Sequence, residues 1–597
     1  MVVQRTDVTD PAWYARVVDC QWACPAHTDV PQYIRLIGQG RYDEAYLLNR
    51  ESNVFPGILG RTCDRPCEPA CRRGRVDADP VAICRLKRVA ADLCGDVTDR
   101  LPRAPRERNG HRVAAVGAGP ASLTVANDLL PLGYEVTIFD GSGAAGGLMR
   151  SSIPAFRLPV EVLDTETAAV LAMGADVRFG QPVSSMAGLL ADGYDAVFVG
   201  SGAPRGKDLE IPGRHEGDAD ARVHVSLDWL ASVAFGHTTT IGRRVVVLGV
   251  GNTAMDCSRT ARRLGGDDVT VVARRPRAFF RASPWELQDA VDEGIAILSE
   301  RAPRRFVVEG GHLVGVELDV LEWDATAVHS EVVGTELLPA DDVVLAVGQE
   351  NAFPWIERDI GIAFHQSGLP EVDPVTMAST RPDVFFGGDA AFGPQNIVWA
   401  VAHGHEAAIS IDNRCRGVPV STRPPPRASL TSQKVSINQW SYANDFNPVG
   451  RQETPHVDLA RRFAELHVEV ELDFTPAQIE REIQRCLNCD VQTRFSERLC
   501  VECDACIDVC PVGCLTITED GTDDEVRARL TVPPAGSTEP LYVSGPLPQT
   551  GRVMVKDEDL CVHCGLCAER CPTAAWDMAR LHLVHPTAAA ARAAAPA

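Results

Sequence analysis

The residues best equipped for chemistry are cysteines near the C-terminus. CVECDACIDVCP, which begins at Cys500, and CVHCGLCAERCP, which begins at Cys561, both carry the spacing C-x2-C-x2-C-x3-C-P. Two copies of this run hold two [4Fe–4S] clusters, the fourth cysteine of each run serving the other cluster. The spacing therefore predicts one ligand set of Cys500, Cys503, Cys506 and Cys571, and a second of Cys561, Cys564, Cys567 and Cys510. Zinc would account for an isolated C-x2-C pair. It does not account for two complete quartets, each closed by proline.

A second kind of chemistry is written in glycines. RVAAVGAGPASLTVANDLLPLGYEVTIFD reads as strand, turn, helix and strand, with Gly117, Gly119 and Ser122 at the turn and Asp140 closing the second strand. The glycines permit a tight turn and let a pyrophosphate approach the backbone at a helix N-terminus, and the carboxylate can accept from a ribose. RRVVVLGVGNTAMDCSRTARRLGGDDVTVVARR repeats the pattern with Gly249, Gly251 and Ala254, but its second strand runs into Arg274 and Arg275. Arginines there suit a 2′-phosphate, which favours NADP(H) over NAD(H).

The elements that position these groups follow from composition and periodicity. At 597 residues the chain is too long for one core and should form three to five domains. With 45% hydrophobic and 23% charged residues it has the make-up of a folded soluble protein. A net charge of −23 repels nucleic-acid phosphates and anionic lipid. No apolar run approaches a membrane span or a signal-peptide core, so a cytoplasmic location is expected. In that reducing setting clustered cysteines point to iron or zinc and not to disulfides.

The fold class predicted is multidomain. Residues 1–105 form a helical iron–sulfur domain. Alternating β-rich and helical segments give two Rossmann-like α/β domains, one for FAD from 106–204 and 336–418, the other for NAD(P)H from 205–335. A proline-rich linker spans 419–494, a small α+β ferredoxin-like domain 495–582, and a disordered tail 583–597.

GAGPAS, GGLMRSSIPAFRLP, GVGNTAMD, VVARR, LAVGQE and FFGGDAAFGPQNIVWAVAHG, in this order within residues 15–415, resemble the flavoprotein module of the glutamate synthase small subunit. Dihydropyrimidine dehydrogenase shares that module. The resemblance implies that Gly117, Gly119, Asp140, Gly147 and Leu148 contact FAD, with Gly388, Asp389, Asn396 and Val398 around its flavin end. It implies that Gly251, Asn252, Thr253, Arg274 and Arg275 hold NADP(H). It also implies that Cys20, Cys24, Cys63, Cys67, Cys71 and Cys84 belong to an N-terminal iron–sulfur domain.

Relatives carry an RCLxC motif just before the first of these cysteines, and here it stands far downstream as RCLNC, with Cys486 and Cys489. The segment is expected to fold back. Cys20, Cys71, Cys486 and Cys489 would then hold one [4Fe–4S] cluster, and Cys24, Cys63, Cys67 and a ligand near Cys84 another, making four in all. Cys84 is weighed evenly against a buried thiol, because the corresponding ligand in dihydropyrimidine dehydrogenase is not a cysteine. Cys94, Cys257, Cys415 and Cys514 are read as packing residues, and His403 and His405 as polar histidines on a helix surface.

Together these parts describe electron transfer between NADP(H), FAD and iron–sulfur clusters, with no catalytic acid or base evident. Three arrangements follow: a subunit of a larger oxidoreductase, with a 2-oxoacid oxidoreductase the favoured partner; a self-sufficient NAD(P)H:ferredoxin oxidoreductase; or a glutamate synthase small subunit. The acidic charge disfavours free acidic ferredoxin. A zinc scaffold with relic nucleotide folds is the non-enzymatic alternative.

Overall fold

β-branched, nearly continuous apolar runs such as AVFV and RVVVL suit strands covered on both faces, and the chain builds two parallel sheets from them. A computed structural model describes residues 5–589 apart from 9, 11, 12, 14–16, 325, 425, 438, 443–445, 520–522 and 531–540. In the first sheet the strands run Val384–Phe386, Ala196–Val199, Arg112–Val116, Glu135–Asp140, Asp176–Phe179, all parallel. Helices Pro120–Leu129 and Ile397–Cys415 pack against each other beside it.

The second sheet has the order Val223–Val225, Asp342–Leu345, Arg244–Leu248, Asp268–Val272, Ala296–Leu298, again parallel. An antiparallel ribbon of Arg301–Glu309, His312–Trp323 and Ser330–Pro339 follows. The boundary expected at residue 336 is therefore too early. Asp342–Leu345 pairs with Arg244–Leu248, so the second unit keeps this strand and the chain returns to the first sheet only at Val384. The apolar run of DVVLAVG shows that it is a buried strand but not which sheet it joins.

The N-terminal domain is helical, with helices Val30–Gly38, Tyr42–Asn53, Pro56–Thr62 and Ile83–Asp92. Asp29 caps the first of these by accepting from the Gln32 N–H, with Pro31 inside the first turn. Pro56–Thr62 and Ile83–Asp92 cross closely at Gly60, where a Cβ would lie 2.7 Å from the Arg88 Cα.

The segment expected as a linker is built into the fold. Arg427–Ser432 and Val491–Phe495 pair antiparallel with the two sides of Trp576–Val584. Between them, helix Pro476–Ile483 begins with a capping box of Thr475 and Gln478 and packs on the N-terminal helices. Trp576–Val584 also carries ordered chain past residue 583, and His585 stacks on His27 with ring centroids 3.9 Å apart. The tail beyond 589 lies outside the described residues. A second small sheet, Leu515–Thr518, Val553–Lys556 and Tyr542–Val543, completes the C-terminal unit. Among the described residues no helix is long and apolar enough to cross a membrane.

Gly60→Ala should lower the thermal midpoint by several degrees, since overpacking a tight crossing costs about 1–3 kcal/mol. Gly334→Ala, where a Cβ meets nothing within 4 Å, should leave it unchanged in the same calorimetric scan.

Candidate dinucleotide cleft and cysteine clusters

Gly117 turns at φ +94°, and a Cβ there would lie 2.6 Å from the Gly200 carbonyl oxygen, so the chain ends its strand with no room for a side chain. Asp140 braces the loop from the next strand: its Oδ2 accepts from the Ala118 N–H at 2.6 Å and its Oδ1 from the Ser142 N–H at 2.7 Å. Ser122 is fully buried against Gly200, a packing role. Gly249 repeats the turn at φ +125° beneath the Ala346 carbonyl.

The first glycine loop and the start of the helix behind the second open on one cleft. Gly117, Gly119, Asp140, Gly147, Leu148, Gly388, Asp389 and Asn396 line it from the first unit, and Asn252 and Thr253 from the second. Helices Pro120–Leu129 and Asn252–Arg263 start there with N-caps Gly119 and Gly251 and no side-chain cap, leaving backbone N–H groups for anionic phosphates. The cradle fits two dinucleotides. Six expected residues are outside its lining: Ser122 and Gly249 pack beneath the loops, Gly251 caps its helix, and the other three lie elsewhere. Val398 is buried in the core of its helix, while Arg274 and Arg275 are exposed beyond Asp268–Val272, outside the cleft lining. Arg275 lies over the Trp323 ring, 6.0 Å from its centroid, and the Trp323 indole donates to the Arg274 carbonyl.

The two histidines are not surface residues. His403 is buried and accepts the Gly388 N–H on Nδ1, and burial lowers its pKa to about 4, so it is a neutral support for the cleft wall. His405 lies between the Asp128 carboxylate at 2.7 Å and the Ser52 carbonyl at 2.8 Å. Burial opposes its charge, but Asp128 prevails and its pKa is raised. Helical periodicity alone placed them outward; the packing partners come from distant sequence.

The cysteines converge in three small apolar hollows. One is lined by Cys20, Cys71, Cys486 and Cys489, another by Cys500, Cys503, Cys506 and Cys571, and a third by Cys510, Cys561, Cys564 and Cys567. RCLNC does return to the N-terminal helices. Arg485 is fully buried and donates to the Asp79 carbonyl at 2.6 Å, and Arg35 grips both Asp490 oxygens at 2.8 Å. Four sulfurs in each hollow, with Cys514 a fifth in the third, form a donor set suited to [4Fe–4S] clusters.

The loops share a detail that simple thiol packing does not require. Glu502, His563 and Arg65 have φ of +53°, +53° and +57°, and each donates its N–H, at 3.4 Å, to the sulfur two residues earlier, Cys500, Cys561 and Cys63. Left-handed backbone is costly for such side chains and persists at functional sites; here it aims an N–H at a sulfur, favouring the thiolate. Cys514 accompanies the third set, its sulfur 3.5 Å from that of Cys510. That thiol and backbone N–H groups lower the Cys510 pKa to about 6.

Cys24, Cys63, Cys67 and Cys84 form the fourth group, around a residue that spacing did not flag. Lys87 is buried, and the negative charge these four cysteines can carry acts on its ammonium. Burial opposes the charge, but the sulfurs prevail and raise its pKa. Cys84 lies beside Cys63, and its thiol donates to the Leu59 carbonyl at 3.2 Å. Thr62 and Asp64, on either side of Cys63, line the dinucleotide cleft.

Two of the hollows adjoin across the domain boundary. Arg72, next to Cys71, donates to the carbonyls of Cys561 at 2.7 Å and Glu558 at 2.9 Å, and its Nε to Asp19 at 2.6 Å. His563 Nδ1 lies 3.1 Å from the Cys489 carbonyl. Cys506 and Cys567, one from each C-terminal set, pack against the same apolar core. Cys503 is exposed.

Comparison with known proteins gives three matched families: pyridine nucleotide-disulphide oxidoreductase over residues 111–404, dihydropyrimidine dehydrogenase domain II, 4Fe-4S cluster, over 14–97, and 4Fe-4S dicluster domain over 499–575. The chain is 35% identical to NADP(+)-dependent formate dehydrogenase subunit beta of Moorella thermoacetica, over 79% of this chain and 70% of that one. It is 31% identical to NADPH-Fe(3+) oxidoreductase subunit beta of Geobacter sulfurreducens, over 81% of this chain and 77% of that one. Its identity with the glutamate synthase [NADPH] small chain of Escherichia coli is 33%, over 66% of this chain and 88% of that one.

Cys489→Ala should remove about four irons per chain and one N-terminal paramagnetic signal, leaving the C-terminal signals intact. Loss of a C-terminal signal alone would contradict the grouping.

Proposed function

The chain belongs to the family of iron–sulfur, FAD-dependent pyridine nucleotide oxidoreductases that includes these relatives, and we propose that it is the NADP(H)-linked electron-transfer subunit of a larger enzyme. One observation carries the reading: the dinucleotide cleft and the four cysteine groups form an ordered series. Asp64 lines the cleft. Cys63 and Cys67 flank the loop behind it, Cys67 shares a buried cluster with Cys20, Cys71, Cys486 and Cys489, and Arg72 and His563 join these to the set of Cys561. The set of Cys500 stands last, with Cys503 exposed.

The chemistry supplied when FAD is bound is conversion between the two-electron hydride of NADPH and the single electrons that iron–sulfur clusters carry. Around it the protein positions and insulates. Gly117, Gly119 and Gly147 bring backbone close to the cofactor, Asp140 fixes the first loop, and Gly388 and Asp389 close the far wall. Burial raises the Asp389 pKa to about 6. Arg274 and Arg275, exposed beside Trp323 beyond the second glycine unit, would swing onto the 2′-phosphate. Cys24, Cys63 and Cys67 would share the fourth cluster with Cys84.

The exposed end of the series fits a protein partner that holds the organic substrate, and the subunit names of the relatives support such a partner. A 2-oxoacid oxidoreductase is the partner class we favour, with formate dehydrogenase the second because of the Moorella relative. Untagged purification from the native source should recover the chain with that partner. Recovery alone, with full ferredoxin reductase turnover, would overturn the subunit reading in favour of a self-sufficient reductase.

Arg274→Ala with Arg275→Ala should raise KM for NADPH about 10- to 100-fold, the equivalent of charged hydrogen bonds worth about 1.5–3 kcal/mol, with KM for NADH unchanged. Steady-state dye reduction with each nucleotide reads both values.

A further inference from the structure

The loop between Cys63 and Cys67 is gripped by the nucleotide-binding unit. Asp64 Oδ1 accepts from the Asn252 carboxamide at 3.3 Å and from the Ser283 hydroxyl at 3.4 Å, and its Oδ2 accepts from the Asn396 carboxamide at 3.1 Å. One carboxylate thus ties the helical domain to the start of the helix behind the second glycine loop and to the cap of Ile397–Cys415. Arg65 extends the grip: its guanidinium stacks 3.9 Å from the centroid of Trp285, two residues beyond Ser283.

The grip bears on the sulfur. Arg65 holds φ +57° while its N–H points at Cys63 Sγ, 3.4 Å away. A non-glycine residue keeps such a conformation only where its surroundings hold it there, and the stack on Trp285 is one such hold. Hydrogen bonds to the sulfurs are among the main controls on an iron–sulfur potential.

We propose that Asp64 and Arg65 are positioning residues that couple dinucleotide occupancy of the cleft to the potential of the cluster held by Cys63 and Cys67. The proposal rests on the reading above, in which both sites are filled. A dinucleotide that engages Asn252 draws its carboxamide away from Asp64. The carboxylate then has one hydrogen-bond donor fewer to screen its charge beside the cluster loop, and the phosphates add negative charge, so the cluster potential falls. Coupling between sites is reciprocal: reduction of the cluster weakens dinucleotide binding by the same factor, which promotes release once electrons have passed inward.

The test is an EPR-monitored redox titration of the whole iron-loaded, FAD-loaded protein with and without saturating NADP+. One N-terminal signal should shift downward by about 59 mV, the equivalent of tenfold coupling for one electron, while the C-terminal signals stay in place. Asp64→Ala and Trp285→Leu should each lose at least half of the shift. Trp285 lies outside the cysteine loops, so its variant carries the test if Asp64→Ala loses iron. A wild-type protein that binds NADP+ by calorimetry without any shift, or a full shift in Trp285→Leu, would overturn the proposal alone. No binding by calorimetry would overturn the functional reading and the proposal with it.

Discussion

The return of Cys486 and Cys489 to the N-terminal helices is the constraint on which the rest of the molecule depends. A chain that closes a loop from Cys20 to Cys489 incurs an entropic cost, though one that grows only slowly with length. Buried charge pays for the closure before any metal is considered: Arg485 on the Asp79 carbonyl, Arg35 on Asp490, and Arg73 on the Arg485 carbonyl. Ligand bonds would add to it, since binding free energy at such a site is folding free energy. Because Val491–Phe495 follows directly and pairs with Trp576–Val584, the same closure docks the C-terminal unit.

That docking joins the cysteine groups directly and does not leave a string of tethered domains. Arg72 stands beside Cys71 of one hollow and donates to the carbonyl of Cys561 of the next, and His563 makes the reverse connection to Cys489. Neither contact would exist if RCLNC preceded the first cysteine without drawing the C-terminal unit along. The position of RCLNC beside Val491–Phe495 thus brings together two cysteine-rich units that spacing alone reads as separate.

The glycine turns and the C-terminal quartets were legible because their chemistry is local: a turn needs its glycine and a cluster loop its spacing. RCLNC was legible as a motif, and its partner set followed from resemblance. Long-range pairing hid the rest. Asp342–Leu345 has the same apolar pattern in either sheet, and the supposed linker shows its strands only beside Trp576–Val584. Lys87 reads as one more charge on an amphipathic helix until it is buried within the influence of four cysteines, and Asp64 reads as a loop residue until three donors from the other units meet its carboxylate. His403 and His405 were misplaced for the same reason.

The central claim is continuity across the boundary between the N-terminal and C-terminal cysteine groups. It is tested most directly by the EPR spectrum of the fully reduced protein at two microwave frequencies. Adjacent reduced clusters in the sets of Cys489 and Cys561 should give frequency-dependent splitting from magnetic interaction, and His563→Ala together with Arg72→Lys should alter it while iron content stays the same. Four spectra that superimpose as independent signals would contradict the account.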